Sequence, residues 1–216
     1  RDGVNPSLEE QVLVPIHEKN EFDFHVLLLT ERLKKNPAYL DLFQKAFGAI
    51  PTPKLITQSI ASFERTLISG NSRYDQFYFQ NNSAALSMSE INGMKLFKKL
   101  NCVKCHSGFN FSNGQIVNNG LYEHYKDMGK MRVTLNENDN GCFKVPTLRN
   151  IEVTGPYMHN GSLESLEEVI EHYSKGGMNH KNKHDWIKPF EISQSEKEDL
   201  VSFLKCLTDS SFISNY

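Results

Sequence analysis

The sequence has no hydrophobic run that approaches the roughly 18 residues of a membrane-spanning helix. It also has no marked excess of either charge, because 24 basic and 26 acidic residues leave a formal net charge of −2 at pH 7. Without a basic surplus the chain is poorly suited to nucleic acid, so we exclude that class of partner. Its 216 residues allow one large domain or two small ones.

An initiator methionine and a secretory signal peptide are also absent, since the sequence starts at Arg1. We therefore expect either a processed chain or a fragment.

Internal repeats and convincing strand patterns are missing, and apolar residues recur instead at the spacing of helices. Ser-x-x-Glu capping signals start at Ser7, Ser87 and Ser193. Helices are predicted over 24–35, 37–47, 53–69, 87–100, 162–175 and 193–207, with a short one after Ser7 that Pro15 ends. Residues 107–150 are rich in Gly, Asn and Asp and predict a long loop that a cofactor could fill as a core. The predicted fold class is mainly α.

One short motif indicates the chemistry. Residues 102–106 read C-x-x-C-H, the attachment pattern of a c-type haem. The thiols of Cys102 and Cys105 can form thioether bonds to one porphyrin, and His106 can ligate the iron. A thioredoxin-like pair would need a βαβ context, and a zinc site would need further ligands at metal spacing. The sequence shows neither, so the motif predicts one covalent haem c.

The other two cysteines, Cys142 and Cys206, lie outside this motif. A disulfide between them would suit an oxidising compartment, and two buried free thiols are equally compatible with the sequence. Haem attachment to C-x-x-C-H takes place outside the cytoplasm in bacteria. We therefore expect a periplasmic or otherwise exported location.

Five stretches together resemble the family of di-haem cytochrome c peroxidases and their MauG-type relatives. They occur in family order along nearly the whole chain: residues 7–11 (SLEEQ), 63–67 (FERTL), 102–108 (CVKCHSG), 143–150 (FKVPTLRN) and 156–162 (PYMHNGS). Family members carry two C-x-x-C-H motifs, whereas this sequence has one. The resemblance therefore implies that residues 83–216 form the second haem domain, a class I cytochrome c-like domain with long loops. Residues 1–82 would be the helical C-terminal part of the first, peroxidatic cytochrome c-like domain.

Two polar residues match the distal pocket that the family builds over its peroxidatic haem. Gln11 and Glu21 have the expected separation of ten residues. A carboxylate can move the proton of a bound peroxide, and an amide can hold the peroxide by hydrogen bonds. From spacing alone, the two would be exposed polar loop residues. Arg1 departs from the family, because it stands where a tryptophan usually precedes Asp-Gly.

The resemblance also points to the residue opposite His106 on the iron. In the peroxidases this ligand is a methionine, and in MauG it is a tyrosine; Tyr173 falls at that position here. The alternative is a core role for Tyr173 on the apolar face of its helix. Met178, in the glycine-rich loop that follows, is the rival ligand, while Met158 and His172 are weaker candidates.

Further family positions fall in the second half of the chain. Thr154 and Pro156 match residues whose backbone carbonyls bind calcium between the haems, and carbonyl oxygen suits that ion. Arg149 is suited to pair with a haem propionate, or alternatively forms a surface salt bridge. His159 could be structural or line the space near the haems.

The resemblance implies a di-haem oxidoreductase that uses hydrogen peroxide at a haem located upstream or in a partner chain. The haem of this chain would store or relay electrons. The expected partners are the companion haem domain and a small electron-donor protein or a protein substrate. The alternative is a stand-alone electron-transfer subunit with a single haem and no peroxidase activity.

Overall fold

The computed structural model describes residues 2–214, which form short helices joined by long loops. The helices are α1 (Leu8–Gln11), α2 (Leu13–His17), α3 (Val26–Lys34), α4 (Pro37–Phe47), α5 (Pro53–Glu64), α6 (Arg73–Tyr78), α7 (Met88–Lys99), α8 (Met131–Thr134), α9 (Leu166–Ser174), α10 (Gln194–Lys205) and α11 (Ser210–Ile213). The mainly α prediction is confirmed. The expectation of no strand was wrong for one short antiparallel pair, β1 (Ile116–Val117) with β2 (Phe143–Lys144).

Several helix ends follow directly from local chemistry. Ser87 and Ser193 form reciprocal capping boxes with the glutamates three residues later, so α7 and α10 begin where the sequence predicts. Gly48 ends α4 in the left-handed conformation, with φ of 65°, which glycine adopts without a steric penalty.

Other helix boundaries differ from the sequence prediction. The helix expected to start at Ser162 starts at Leu166, because Tyr157 pairs with Leu163 and Ser165 is the residue that caps. Pro15 does not end a helix but lies in the first turn of α2, where the missing N–H costs little. The helix predicted over 53–69 ends at Glu64.

The described chain divides into two compact units. The first comprises residues 5–68, and the second comprises residues 69–214 together with 2–4. The boundary expected at residue 82 stays a prediction about the family's domains. In the structure, α6 packs with the second unit, since Arg149 binds Asp75 of α6 and Arg73 binds Glu90 of α7.

The second unit has an extensive core. Twelve buried residues form one cluster, and Phe97, Phe111 and Phe203 contact one another with ring centroids 5.3–6.3 Å apart. Helices α7 and α10 approach so closely that a Cβ on Gly93 would lie 2.0 Å from the backbone oxygen of Asp199. The core thus holds the helix before the C-x-x-C-H motif against the last long helix.

The first unit has a small core, in which Val12, Ile16 and Val26 are buried. Arg65 of the α5 C-terminus forms a bidentate ion pair with Glu9 of α1, at 2.8 and 2.9 Å. Among residues 2–214, no helix is long and apolar enough to cross a membrane.

Candidate haem-binding site

The two motif cysteines lie in one tight turn after α7. Asn101 takes a left-handed conformation, and a 3₁₀ turn over Cys102–Lys104 follows. The N–H of His106 donates to the carbonyl of Cys102 at 2.9 Å, which closes the turn. Burial raises the pKa of Cys102 to about 12 and also raises that of Cys105. A redox-active dithiol needs a lowered thiol pKa, so the raised pKa values of both thiols disfavour a thioredoxin-like role for this pair.

His106 is held in the state that a metal ligand needs. Its Nδ1 lies 3.0 Å from the backbone carbonyl of Phe111, which can only accept, so Nδ1 carries the proton. Burial lowers the pKa of His106 against the opposing effect of the Phe111 and Pro146 carbonyls. Because Nδ1 carries the proton, the Nε2 lone pair is the one available to a metal.

Tyr173 lies near the cysteine pair although 67 positions of sequence separate it from His106. It occupies the last turn of α9, and its hydroxyl accepts a hydrogen bond from Nδ2 of Asn119 at 3.4 Å. Burial raises its pKa, and the Cys105 and Cys102 thiols act on it in the same direction. The residue as a whole is half-buried.

The rival ligands are placed differently. Met178 is 51% exposed, with its backbone N–H bonded to the carbonyl of Gly120. His172 directs Nε2 at the carbonyl of Asn119, 3.2 Å away, which occupies that nitrogen as a donor. Met158 lies closer to Tyr173, since its sulfur accepts from Asn119 at 3.4 Å.

Arg149 is a buried ion-pair residue rather than a surface one. Its Nη1 donates to Oδ2 of Asp75 at 2.5 Å, its Nε donates to the carbonyl of Phe109 at 2.9 Å, and both charged side chains are almost wholly buried. Its Nη2 is buried without a hydrogen-bond partner among the described residues. A buried, unpaired guanidinium N–H fits a carboxylate such as a haem propionate. The residues present therefore fit a haem c.

The comparisons with known proteins agree with this geometry. The family model described as di-haem cytochrome c peroxidase matches residues 1–83. The crystal structure of a MauG-like protein associated with microbial copper homeostasis is 30% identical, with a TM-score of 0.85, and the match covers 97% of this chain and 72% of that one. The chain belongs to the di-haem cytochrome c peroxidase family.

Members from several bacteria match across most of the chain. The methylamine utilization protein MauG of Methylorubrum extorquens is 37% identical over 95% of this chain and 59% of its own length. The cytochrome c551 peroxidase of Nitrosomonas europaea is 34% identical over 96% of this chain and 60% of its own. The chain thus spans about six tenths of the length of these relatives. The di-haem peroxidase BthA of Burkholderia thailandensis, 18% identical with a TM-score of 0.76, shares the fold.

The two residues that match the family's distal pocket lie in the first unit. Gln11 ends α1 with its Oε1 accepting from Asn5 at 2.8 Å, and Glu21 lies in the turn after α2. Both side chains are exposed. Their role over a haem stays a prediction, and Arg1 lies outside the described residues.

The two residues that match the family's calcium ligands lie on an exposed loop. Thr154 ends a 3₁₀ turn and Pro156 follows a cis peptide bond. Their carbonyl ligation stays a prediction. Among the described residues, no three His, Cys, Asp or Glu side chains cluster as a metal site.

Cys142 and Cys206 are both buried free thiols, which resolves the alternative left open by the sequence.

The sequence reasoning missed two residues near the site, Asp75 and Asn119. A Ser72-x-x-Asp75 capping signal was present, and the structure shows the complete capping box. Asn119 gave no signal, because it is one of many asparagines in an irregular loop.

A groove of about 330 Å³ lies beside the attachment turn. Its lining includes three lysines, one aspartate and a tryptophan: Lys99, Lys104, Lys188, Asp185 and Trp186. Lys104 Nζ lies 5.7 Å from the centroid of the Trp186 ring, which is 41% exposed. This face is locally basic on a chain whose overall charge is slightly negative.

Proposed function

We propose that this chain is the C-terminal part of a di-haem peroxidase or MauG-type oxidoreductase, and that residues 83–216 form its second, cytochrome c-like haem domain. The observation that carries the proposal is the placement of His106, whose Nδ1 is fixed by Phe111 and whose Nε2 is left free beside two cysteines in one turn. When bound, a haem c supplies reversible one-electron chemistry at this site.

The chain's own residues have separate tasks in this proposal. Cys102 and Cys105 anchor the haem, His106 and Tyr173 would supply its two iron ligands, and Arg149 would offer Nη2 to a propionate. An anionic phenolate oxygen favours oxidised iron, so Tyr173 suits a haem that stores oxidising equivalents. Methionine would favour reduced iron, but Met178 is exposed.

In this scheme a second haem, upstream or in a partner chain, would supply the peroxide chemistry. There Gln11 would hold the peroxide through its amide, and Glu21 would move the proton from one peroxide oxygen to the other. Exposed apolar side chains on α3 and α4 support a companion haem domain next to the first unit, since such faces normally need cover. They include Leu27, Leu28, Tyr39, Leu42 and Phe47.

The electron-exchange partner is an acidic protein, a small donor or a protein substrate, that docks on the groove formed by Lys99, Lys104, Trp186 and Lys188. Complementary charge would steer it to the face beside the covalent attachment turn. The proposal also includes a calcium ion, held by the backbone carbonyls of Thr154 and Pro156. The expected location is periplasmic or otherwise exported.

Haem stoichiometry in the purified full-length protein tests the proposal, followed by addition of hydrogen peroxide. We expect two haems per complex and a peroxide-dependent change in the visible spectrum. A single six-coordinate haem that ignores peroxide would overturn the proposal in favour of a stand-alone electron-transfer subunit. Tyr173→Phe separately tests the ligand, because an unaltered low-spin spectrum would show that Tyr173 is not on the iron.

A further inference from the structure

Asn119 contacts three of the four candidate sixth ligands, which are Tyr173, Met158 and His172. Its Nδ2 donates to Tyr173 Oη and to Met158 Sδ, both at 3.4 Å. Its backbone carbonyl lies 3.2 Å from Nε2 of His172. One residue of the long loop therefore touches two consecutive helix residues that could both bind iron.

The orientation of the Asn119 amide is fixed by its other end. The backbone N–H of Leu121 donates to Oδ1 at 3.2 Å, so the nitrogen side must face Tyr173 and Met158. The two N–H groups of the amide match the two acceptors, one phenol oxygen and one thioether sulfur.

Asn119 forms different hydrogen bonds with His172 and Tyr173. A carbonyl can only accept, so His172 Nε2 bears a proton and offers no lone pair. Tyr173 instead receives a donor, and a donor stabilises a phenolate oxygen. From this we infer that Asn119 is the positioning residue of the sixth haem ligand, presenting the oxygen of Tyr173 and engaging Nε2 of His172 as a donor. The inference rests on the proposed haem site.

The hydrogen bond from Asn119 to Tyr173 should also affect the reduction potential of the haem. An N–H that donates to a ligating phenolate withdraws electron density from it, so the oxygen favours oxidised iron less strongly. Removing the N–H should shift the haem toward its oxidised form. Because hydrogen bonds to charged groups are the stronger ones, we expect about a tenfold shift in the redox equilibrium. That is a fall of about 59 mV for a one-electron couple.

Asn119→Leu in the haem-loaded full-length protein removes the donor at nearly constant volume and leaves the backbone carbonyl in place. The readouts are the reduction potential and the ligand-to-iron charge-transfer band, with circular dichroism reporting the fold. Asn119→Gln keeps an N–H and should recover part of the shift. Asn160→Leu is the matched control, because Asn160 donates to a different phenol, Tyr122, at 2.8 Å. If Asn119→Leu fails to fold, Asn119→Ala replaces it, because it also removes the donor and adds no charge.

A double-mutant cycle with Tyr173→Phe locates the effect. If Asn119 acts through the phenol oxygen, Asn119→Leu should lower the potential by about 59 mV, a tenfold change in the redox equilibrium, in wild type and leave it unchanged in Tyr173→Phe. An equal shift in both backgrounds, or none in either, would overturn the inference. Should Tyr173→Phe itself leave the spectrum unaltered, the ligand assignment and the inference would fall together, while two haems and a peroxide response would leave the proposed function standing.

Discussion

The two units of this chain bury their apolar residues to very different extents. Residues 69–214 hold a cluster of twelve buried side chains and a buried ion pair. Residues 5–68 bury three in their cluster and also bury Phe43, Ile56 and Ala61 outside it, while helices α3 and α4 expose Leu27, Leu28 and Leu42. The second unit therefore contains the interactions that hold its own site. The first unit presents apolar faces whose partners are not among the described residues.

The largest contrast should come from the ion pairs of the two units. Asp75→Ala would leave the Arg149 guanidinium buried and unpaired, which costs about 3–5 kcal/mol in the free energy of unfolding. Arg65→Met breaks the exposed pair with Glu9 and should have no resolvable effect. Urea unfolding of both variants checks this. If both variants lost a similar free energy of unfolding, burial would not explain the difference between the two ion pairs.

Core truncations sharpen the same contrast. Leu200→Ala in the large cluster should cost about 3–5 kcal/mol, whereas Ile16→Ala in the small one should cost about 2 kcal/mol. The reason is that a site in a small core can collapse or admit water. Fluorescence of the single tryptophan, Trp186, follows the second unit, and far-ultraviolet circular dichroism follows both. Equal losses would mean that the first unit is packed as tightly as the second.

Alkaline pH should weaken the second unit selectively. Burial raises the pKa of Cys206 from 9.0 to about 12, and the first unit contains no cysteine. Because the folded state holds this proton more tightly, the contribution is complete below pH 9 and is lost as the pH rises toward 12. Unfolding at pH 8 and pH 11 should show a smaller pH dependence in Cys206→Ala than in wild type. An unchanged slope would assign the effect to other groups.

The smallest effect on stability, and a clear one on partner recognition, is expected at the basic groove. Lys104→Glu with Lys188→Glu should leave the unfolding free energy nearly unchanged but slow electron exchange with an acidic redox protein at low salt. Lys45→Glu with Lys54→Glu, at two exposed positions of the first unit, is the control with the same change in net charge. Rates that respond equally to both changes would indicate net charge rather than docking on this face.

Local chemistry made parts of the fold predictable from sequence. Capping boxes at Ser87 and Ser193 placed α7 and α10, and Gly48 marked the end of α4, because these signals act within one helical turn. The helix start predicted at Ser162 was wrong, because the pairing of Tyr157 with Leu163 keeps residues before Ser165 out of the helix. Helix α6 was missed although its Ser72–Asp75 capping box was readable.

By itself, the sequence determined the haem attachment motif, the mainly helical class and the family, because each depends on residue identity and short spacing. The tertiary structure alone decided that Arg149 is buried against Asp75 and that Asn119 meets Tyr173. The physical reason is that both contacts join residues more than fifty positions apart, which only the packing of loop and helix brings within hydrogen-bond distance.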